Sequence, residues 1–311
     1  MITKKIINTF DQRWDYYYLD RQLKKNNAKN NSIETLISGS SYGIFGIEPV
    51  MNSINLSLPS QDIYYSCKLV RKALDNNNKI NKVLLCIGYY TIYCDLSKSS
   101  ENWRINEVYY PLLKDRHNQN IDEIVKKKWY IKFVETVLKK LINGILHIFF
   151  MVKQQYFDQV LHTRKRRRFV VWEDVKSTWI QLDHIKKDEA AKKRVSMHEK
   201  QLKHSESKQE NLLELKLLYE ECHMRNIKLD IFIFPFTKEY INNMSEFFRK
   251  DSLFVIEQLK KNCDNITDFN KILNLNAIDF VDCDHLSNLG AKKMTEIVNS
   301  WIKENEKNRI F

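Results

Sequence analysis

The six cysteines of this chain, Cys67, Cys86, Cys94, Cys222, Cys263 and Cys283, are scattered, with no C-x-x-C pair among them. That spacing excludes a secretory disulfide framework, and the residues read as reduced cytosolic thiols. The eight histidines show no H-E-x-x-H or other ligand spacing, so no metal site is expected. There is no Walker loop and no G-x-G-x-x-G, which removes the familiar phosphate cradles of nucleotide-binding folds. The most apolar stretch, Leu141 to Val152, falls short of the roughly 20 residues that a membrane helix needs. The opening segment carries Lys4 and Lys5, but Asn8 and Asp11 break its apolar run, so it does not read as a signal peptide. The expectation is a soluble, cytoplasmic protein.

What is present is enough apolar material for a core, 43% of the residues, and an excess of positive charge. Lys and Arg number 51 against 39 Asp and Glu, a formal net charge of +12, which favours anionic partners. Nucleic acid, an anionic membrane surface, an acidic glycan and coenzyme phosphates all satisfy that requirement. The densest charge is Arg164-Lys165-Arg166-Arg167-Arg168. No helix-turn-helix, zinc-finger or aromatic RNA-binding signature accompanies it, so nucleic acid is not expected. The run reads as a solvated helix face or as a binding patch for phosphate or acidic glycan, with Arg166, Arg167 and Arg168 as its candidate contacts.

Apolar periodicity organises the rest. Residues 1–31 hold Phe10, Trp14, Tyr16, Tyr17 and Tyr18 and read as a packed helical arm followed by a polar linker. Thr35 to Ser38 form a short buried strand that stops at Gly39, and Ser53 to Leu56 form a second strand. Asp62 follows Pro59 at a helix start, after which Ile63, Cys67, Val70 and Leu74 share one face. Val83 to Gly88 is a continuous apolar run, as expected of a central parallel strand. Between 95 and 208 the strand signal nearly vanishes; Phe133, Val137, Leu141 and Ile145 are spaced as on a helix, and Lys186 to Lys208 reads as a polar helix or mobile segment. The sheet resumes at Leu229 to Pro235, preceded by the helix-spaced Leu213, Leu217, Leu218 and Cys222. A last short strand is expected near Ile278 to Val281, and a closing helix carries Met294, Ile297, Val298, Trp301 and Ile302. The implied organisation is an α/β domain from 32–94 and 209–311, interrupted by a helical insertion at 95–208.

Two turns in this pattern carry chemistry. Gly39-Ser40-Ser41-Tyr42-Gly43 can leave a hydroxyl at the carboxyl end of a parallel strand, where open α/β folds place their sites, and Ser41 is the candidate nucleophile. Ser and Gly also favour turns for backbone reasons alone. The second turn, Asp282-Cys283-Asp284-His285, places an Asp three residues before a His. A carboxylate there can receive one imidazole N–H and leave the other nitrogen to take a serine proton. Asp284 is a competing orienter, but as the immediate neighbour of His285 it is expected to point away.

These two blocks resemble the SGNH/GDSL hydrolase superfamily, whose first block is a strand followed by Gly-Asp-Ser and whose last is Asp-x-x-His with a following Gly. Here the blocks read Gly39-Ser40-Ser41 and Asp282-x-x-His285, with Ser in place of the middle Asp. The Gly-Ser-Ser-Tyr form looks more like the branch found among bacterial polysaccharide-biosynthesis proteins and glycan O-acyltransferases than like secreted lipases. The resemblance implies a three-layer α/β/α, flavodoxin-like parallel sheet and a Ser41–His285–Asp282 triad. It also implies oxyanion donors from Ser41, from an Asn-x-Gly block that here reads Asn55-Leu56-Ser57, and from a Gly-x-Asn block that here reads Gly88-Tyr89-Tyr90. The third departure leaves the Tyr90 phenol or the Asn55 side chain as donor, or else a weakened site, and Tyr90 also reads as a core residue that buries its ring. Tyr42 and Gln61 are candidate substrate contacts, and acyl-CoA is the implied acyl donor, with a glycan or a nucleotide- or lipid-linked sugar as acceptor. Esterase or deacetylase activity on the same residues, and a non-catalytic binding role, remain open on this reading.

Overall fold

The computed structural model describes residues 2–119, 178–261, 263 and 265–307, with side chains from 14 to 303. Five parallel strands form one sheet: β1 (Thr35–Gly39), β2 (Ser53–Asn55), β3 (Lys82–Ile87), β4 (Lys228–Ile233) and β5 (Asn265–Asp268), in the order β2-β1-β3-β4-β5. The helices used below are α1 (Ile2–Asn27), α2 (Ser41–Gly46), α3 (Ile63–Leu74), α4 (His184–Glu199), α5 (Ser205–Met224), α6 (Lys238–Asn243), α7 (Glu246–Lys260) and α8 (Asn288–Lys307). This is the flavodoxin-like order, and the fold is the expected three-layer α/β class.

The strand order dictates the layers. The chain leaves β1 toward β2 and then crosses back over β1 to β3, β4 and β5. Parallel crossovers are right-handed, so the reversal sends α2 to one face and α3, α5 and α7 to the other. The packing agrees: α3 lies on β1 and against α5, while α8 returns to pack on α2. β1 and β3 are buried along their whole length, which is why they read as unbroken apolar runs. Beneath α2 and α8 a core of Ile37, Leu84, Phe232, Phe234, Met294 and Val298 closes the sheet. Each such side chain contributes about 1.5–3 kcal/mol relative to its exposed form.

Several local expectations are corrected. The last strand is Asn265–Asp268, a polar, half-buried edge strand with no apolar run to betray it. Ala277–Asp279 is instead a 3₁₀ turn, leaving a single antiparallel bridge between Phe280 and Leu286. On α5 the buried face is Leu215, Leu218 and Cys222, whereas Leu213 and Leu217 are exposed. By packing, the chain divides into a unit of Met1–Arg116 with Val175–Phe311 and a second of His117–Asp174. The first unit therefore takes in α1, residues 95–116 and all of α4, beyond the 32–94 and 209–311 read from sequence. The Arg164–Arg168 cluster and the helical pattern from Phe133 to Ile145 lie outside the described residues.

Candidate functional site

The order 2-1-3-4-5 puts the topological switch point between β1 and β3, and ligands of open α/β sheets bind beyond the carboxyl ends of the strands there. Gly39 is paired with Cys86, Cys86 with Phe232, and Phe232 with Thr267, so the strand ends form one edge. Gly39 makes the turn possible. Its φ is +144°, and a Cβ there would lie 2.1 Å from the carbonyl oxygen of Cys86. Ser41 follows at the first position of α2, where backbone N–H groups have no acceptor within the helix.

The loop from Asp279 to Ser287 brings the second half of the site. It is pinched shut by Val281 N–H donating to His285 O at 2.9 Å and by Ser287 N–H donating to Asp279 O at 2.8 Å. Within it Asp282 Oδ1 accepts the backbone N–H groups of Asp284 (2.9 Å) and His285 (2.8 Å), which curls the carboxylate back under the imidazole. His285 Nδ1 then stands 2.9 Å from Asp282 Oδ2, and His285 Nε2 stands 2.9 Å from Ser41 Oγ. A hydroxyl and an imidazole 244 positions apart in sequence, with a carboxylate three residues before the imidazole, are thus joined in one hydrogen-bonded chain. Tyr42 stacks on His285 with ring centres 5.7 Å apart, and Phe45 meets it edge-on at 6.1 Å, which fixes the plane of the imidazole.

Behind the imidazole lies a second network that the sequence did not reveal. Asp284 is 1% exposed and is held by Arg194 of α4 through two prongs, Nε to Oδ1 at 3.0 Å and Nη2 to Oδ2 at 2.9 Å. Tyr42 donates its hydroxyl to Asp284 Oδ2 at 3.2 Å. His198, also on α4, stacks on Tyr90 at 3.5 Å between ring centres, and its Nδ1 lies 2.6 Å from the Tyr240 hydroxyl. Ala191, Val195 and His198 are the buried stripe of α4, at positions i, i+4 and i+7, and that spacing was the available signal in a helix otherwise crowded with charge.

Electrostatics follow from this layout. Burial alone would lower the pKa of His285, but the Asp284 charge and the Asp282 hydrogen bond outweigh it and raise the pKa above its ordinary value. Burial would raise Asp282, yet its bonds to His285 and to the backbone N–H groups bring it below the usual carboxylate range. Asp284 is pushed up by burial, with His285 and Arg194 pulling the other way. His198 is driven well down by burial, with Arg194 and His285 adding to the effect, so it is neutral. Asp282, Asp284 and His285 offer three ligand atoms within 4.8 Å of one another, but a cation suits them poorly because Arg194 already neutralises Asp284.

The expected site residues fare unequally. His285 stands within hydrogen-bond distance of both Ser41 and Asp282. Asp284 does not point away: its Oδ1 is 3.6 Å from His285 Nδ1, beyond hydrogen-bond range, while Asp282 makes the bond. The Ser57 N–H, expected to face an oxyanion, donates to Asn55 Oδ1 at 3.0 Å, and Asn55 Nδ2 donates to Gly43 O at 2.8 Å. Asn55 is therefore a buckle between β2 and α2, not a donor into the site. Tyr90 is packed on His198, with its hydroxyl 3.5 Å from that of Tyr42. Tyr42 is 2% exposed and serves as the inner wall. Gln61 is likewise 2% exposed; its amide donates to Leu56 O and Ser66 Oγ and accepts from the Tyr109 hydroxyl, so it holds loops together and is no substrate contact.

Comparison with known proteins adds little. No family model and no curated protein matches this chain. Among solved structures it is similar to a protein from Streptococcus pneumonia provisionally described as a platelet activating factor, at 9% identity over 96% of this chain and 98% of that one, with a TM-score of 0.43. Among the described residues no helix is long and apolar enough to cross a membrane, and none of the six cysteines is joined in a disulfide.

Proposed function

We propose that this chain is a serine-dependent acyl-transfer enzyme, and the observation that supports it is the Ser41–His285–Asp282 chain at the switch point of the sheet. A serine hydroxyl is a weak nucleophile until a base takes its proton, and His285 Nε2 is within reach to do so. Asp282 fixes the tautomer with the proton on Nδ1 and balances the imidazolium that forms. Ser41 Oγ attacks an acyl carbonyl carbon, and the carbonyl oxygen gains the charge. The N–H of Ser41 is the donor best placed for that oxyanion, worth about 3–4 kcal/mol for a single donor. Collapse expels the leaving group, which takes the proton from His285 and leaves an acyl-serine. His285 then deprotonates an acceptor hydroxyl, whose attack returns Ser41.

The finer reading is a glycan O-acetyltransferase of surface-polysaccharide biosynthesis, with acyl-CoA as donor. It rests on the resemblance of the Gly39-Ser40-Ser41-Tyr42 block to that branch and on the positive charge of the chain. In this reading Arg166, Arg167 and Arg168 meet phosphate or carboxylate groups of donor or acceptor, and an anionic membrane surface is a further partner. An esterase or deacetylase differs only in using water as acceptor. The test is to expose the protein to a fluorophosphonate and locate the adduct by mass spectrometry, then to follow acetyl-CoA and p-nitrophenyl acetate with and without sugars. Labelling at Ser41 that Ser41→Ala abolishes supports the acyl-serine step. A folded protein that neither labels at Ser41 nor consumes either acyl donor refutes it, and sugar-independent hydrolysis alone selects the esterase.

A further inference from the structure

Arg194 belongs to no part of the reaction just described, yet it reaches the imidazole's neighbourhood from a helix about ninety positions away in sequence. Asp284 presents a buried carboxylate oxygen 3.6 Å from His285 Nδ1, close enough to compete with Asp282 for that N–H after a small side-chain rotation. A ring that swung toward Asp284 would move Nε2 off Ser41. The Arg194 guanidinium closes off that alternative, because its planar fork holds Asp284 in the geometry of an ionised, two-pronged pair. We propose that Arg194 is a positioning residue: by clamping Asp284 it reserves His285 for Asp282 and limits the negative charge that the imidazole meets. This rests on His285 being the base of the proposed reaction, but its effect on the imidazole is measurable without any reaction.

The groups facing His285 are Asp282 and Asp284 from its own loop, Ser41 and Tyr42 from α2, and Arg194 and His198 from α4. Tyr90 and Tyr240 stand behind His198. Of these, His198 is neutral and the tyrosines stay protonated, so Arg194 is the positive charge that offsets two carboxylates. Removing it raises the proton affinity of the His285–Asp284 set as a whole.

The experiment follows the His285 ring by NMR in ¹³C-histidine-labelled protein across pH, assigned through His285→Ala, for wild type, Arg194→Gln, Arg194→Lys and the Arg194→Gln/Asp284→Asn double variant. In Arg194→Gln the midpoint of His285 rises by about one unit. In the double variant, which removes both partners of the buried pair and so avoids a lone buried charge, it returns toward the wild-type value or below it. Arg194→Lys keeps the charge and lies between. In the activity profile the acid limb of kcat/KM moves with the NMR midpoint, while fluorophosphonate labelling of Ser41 above that midpoint persists. An unmoved midpoint in Arg194→Gln, or a rise that Asp284→Asn does not reverse, overturns the proposal. Shifted midpoints in a protein whose Ser41 never labels would leave this inference standing and sink the acyl-transfer reading instead.

Discussion

Replacing each loop carboxylate by its amide separates the orienter from its neighbour. In Asp282→Asn the side-chain oxygen can keep the backbone N–H bonds of Asp284 and His285, so the loop retains its shape. The amide nitrogen then faces His285 Nδ1 where the carboxylate accepted its proton, and the imidazole turns to the tautomer with the proton on Nε2. That nitrogen can no longer accept from Ser41 Oγ, 2.9 Å away. The loss in kcat is expected to approach about 10⁴, the scale known for an inverted serine triad, or about 5.4 kcal/mol of transition-state stabilisation. Asp284→Asn acts differently. It leaves the Ser41–His285–Asp282 contacts in place but deprives Arg194 of its partner, so stability falls by about 3–5 kcal/mol, the range for breaking a buried pair. Activity per folded molecule should drop far less than in Asp282→Asn. Steady-state rates normalised to fluorophosphonate-reactive sites, with thermal melts of both variants, make the comparison. If Asp284→Asn costs the larger share of kcat, the orienter is Asp284 and the assignment made from the 2.9 Å and 3.6 Å distances is wrong.

Because His285 must be neutral to accept the Ser41 proton and its pKa lies above the ordinary value, kcat/KM should rise through a midpoint above about 6.5 and plateau on the alkaline side; a pH–rate profile flat from 6 to 8 would contradict this. The same raised pKa stabilises the fold below the unfolded value and loses that contribution as pH climbs through the folded one. His198 works in the opposite sense: held neutral while the unfolded chain binds a proton, it withdraws about 1.4 kcal/mol of stability for each pH unit below about 6.5, so His198→Gln should flatten the acid side of a pH–melting curve. Gly39→Ala should destabilise the protein by about 3 kcal/mol or more, since the φ of +144° and the approach of the Cys86 carbonyl leave no room for a methyl group; a melting temperature equal to wild type would show that β1 ends differently.

How far the sequence could be read depends on how each feature is encoded. Ser41, Asp282 and His285 were legible because each sits in a local pattern with a physical signature: an apolar strand ending in Gly39, and a carboxylate three residues before an imidazole. β1, β3 and β4 announced themselves by apolar runs, broken within β4 by Asp230, since strands covered on both faces have little polar side to show. β5 did not, because an edge strand of Asn265, Ile266, Thr267 and Asp268 is half-buried throughout and carries little apolar signal. Arg194 and His198 were missed for a related reason. Their helix exposes most of its surface, so charge dominates its composition and hides a narrow buried stripe of Ala191, Val195 and His198. The fate of Asn55 and Ser57 lay beyond spacing altogether. Whether a backbone N–H faces a substrate or a neighbouring side chain is set by a turn of two residues, and Asn favours closing that turn on itself. The buckle it forms with Gly43 and Ser57 ties the second strand to the helix that carries Ser41. Occupying the Ser57 N–H and tying β2 to the helix that begins at Ser41 are two consequences of one side chain, and only the folded geometry shows both.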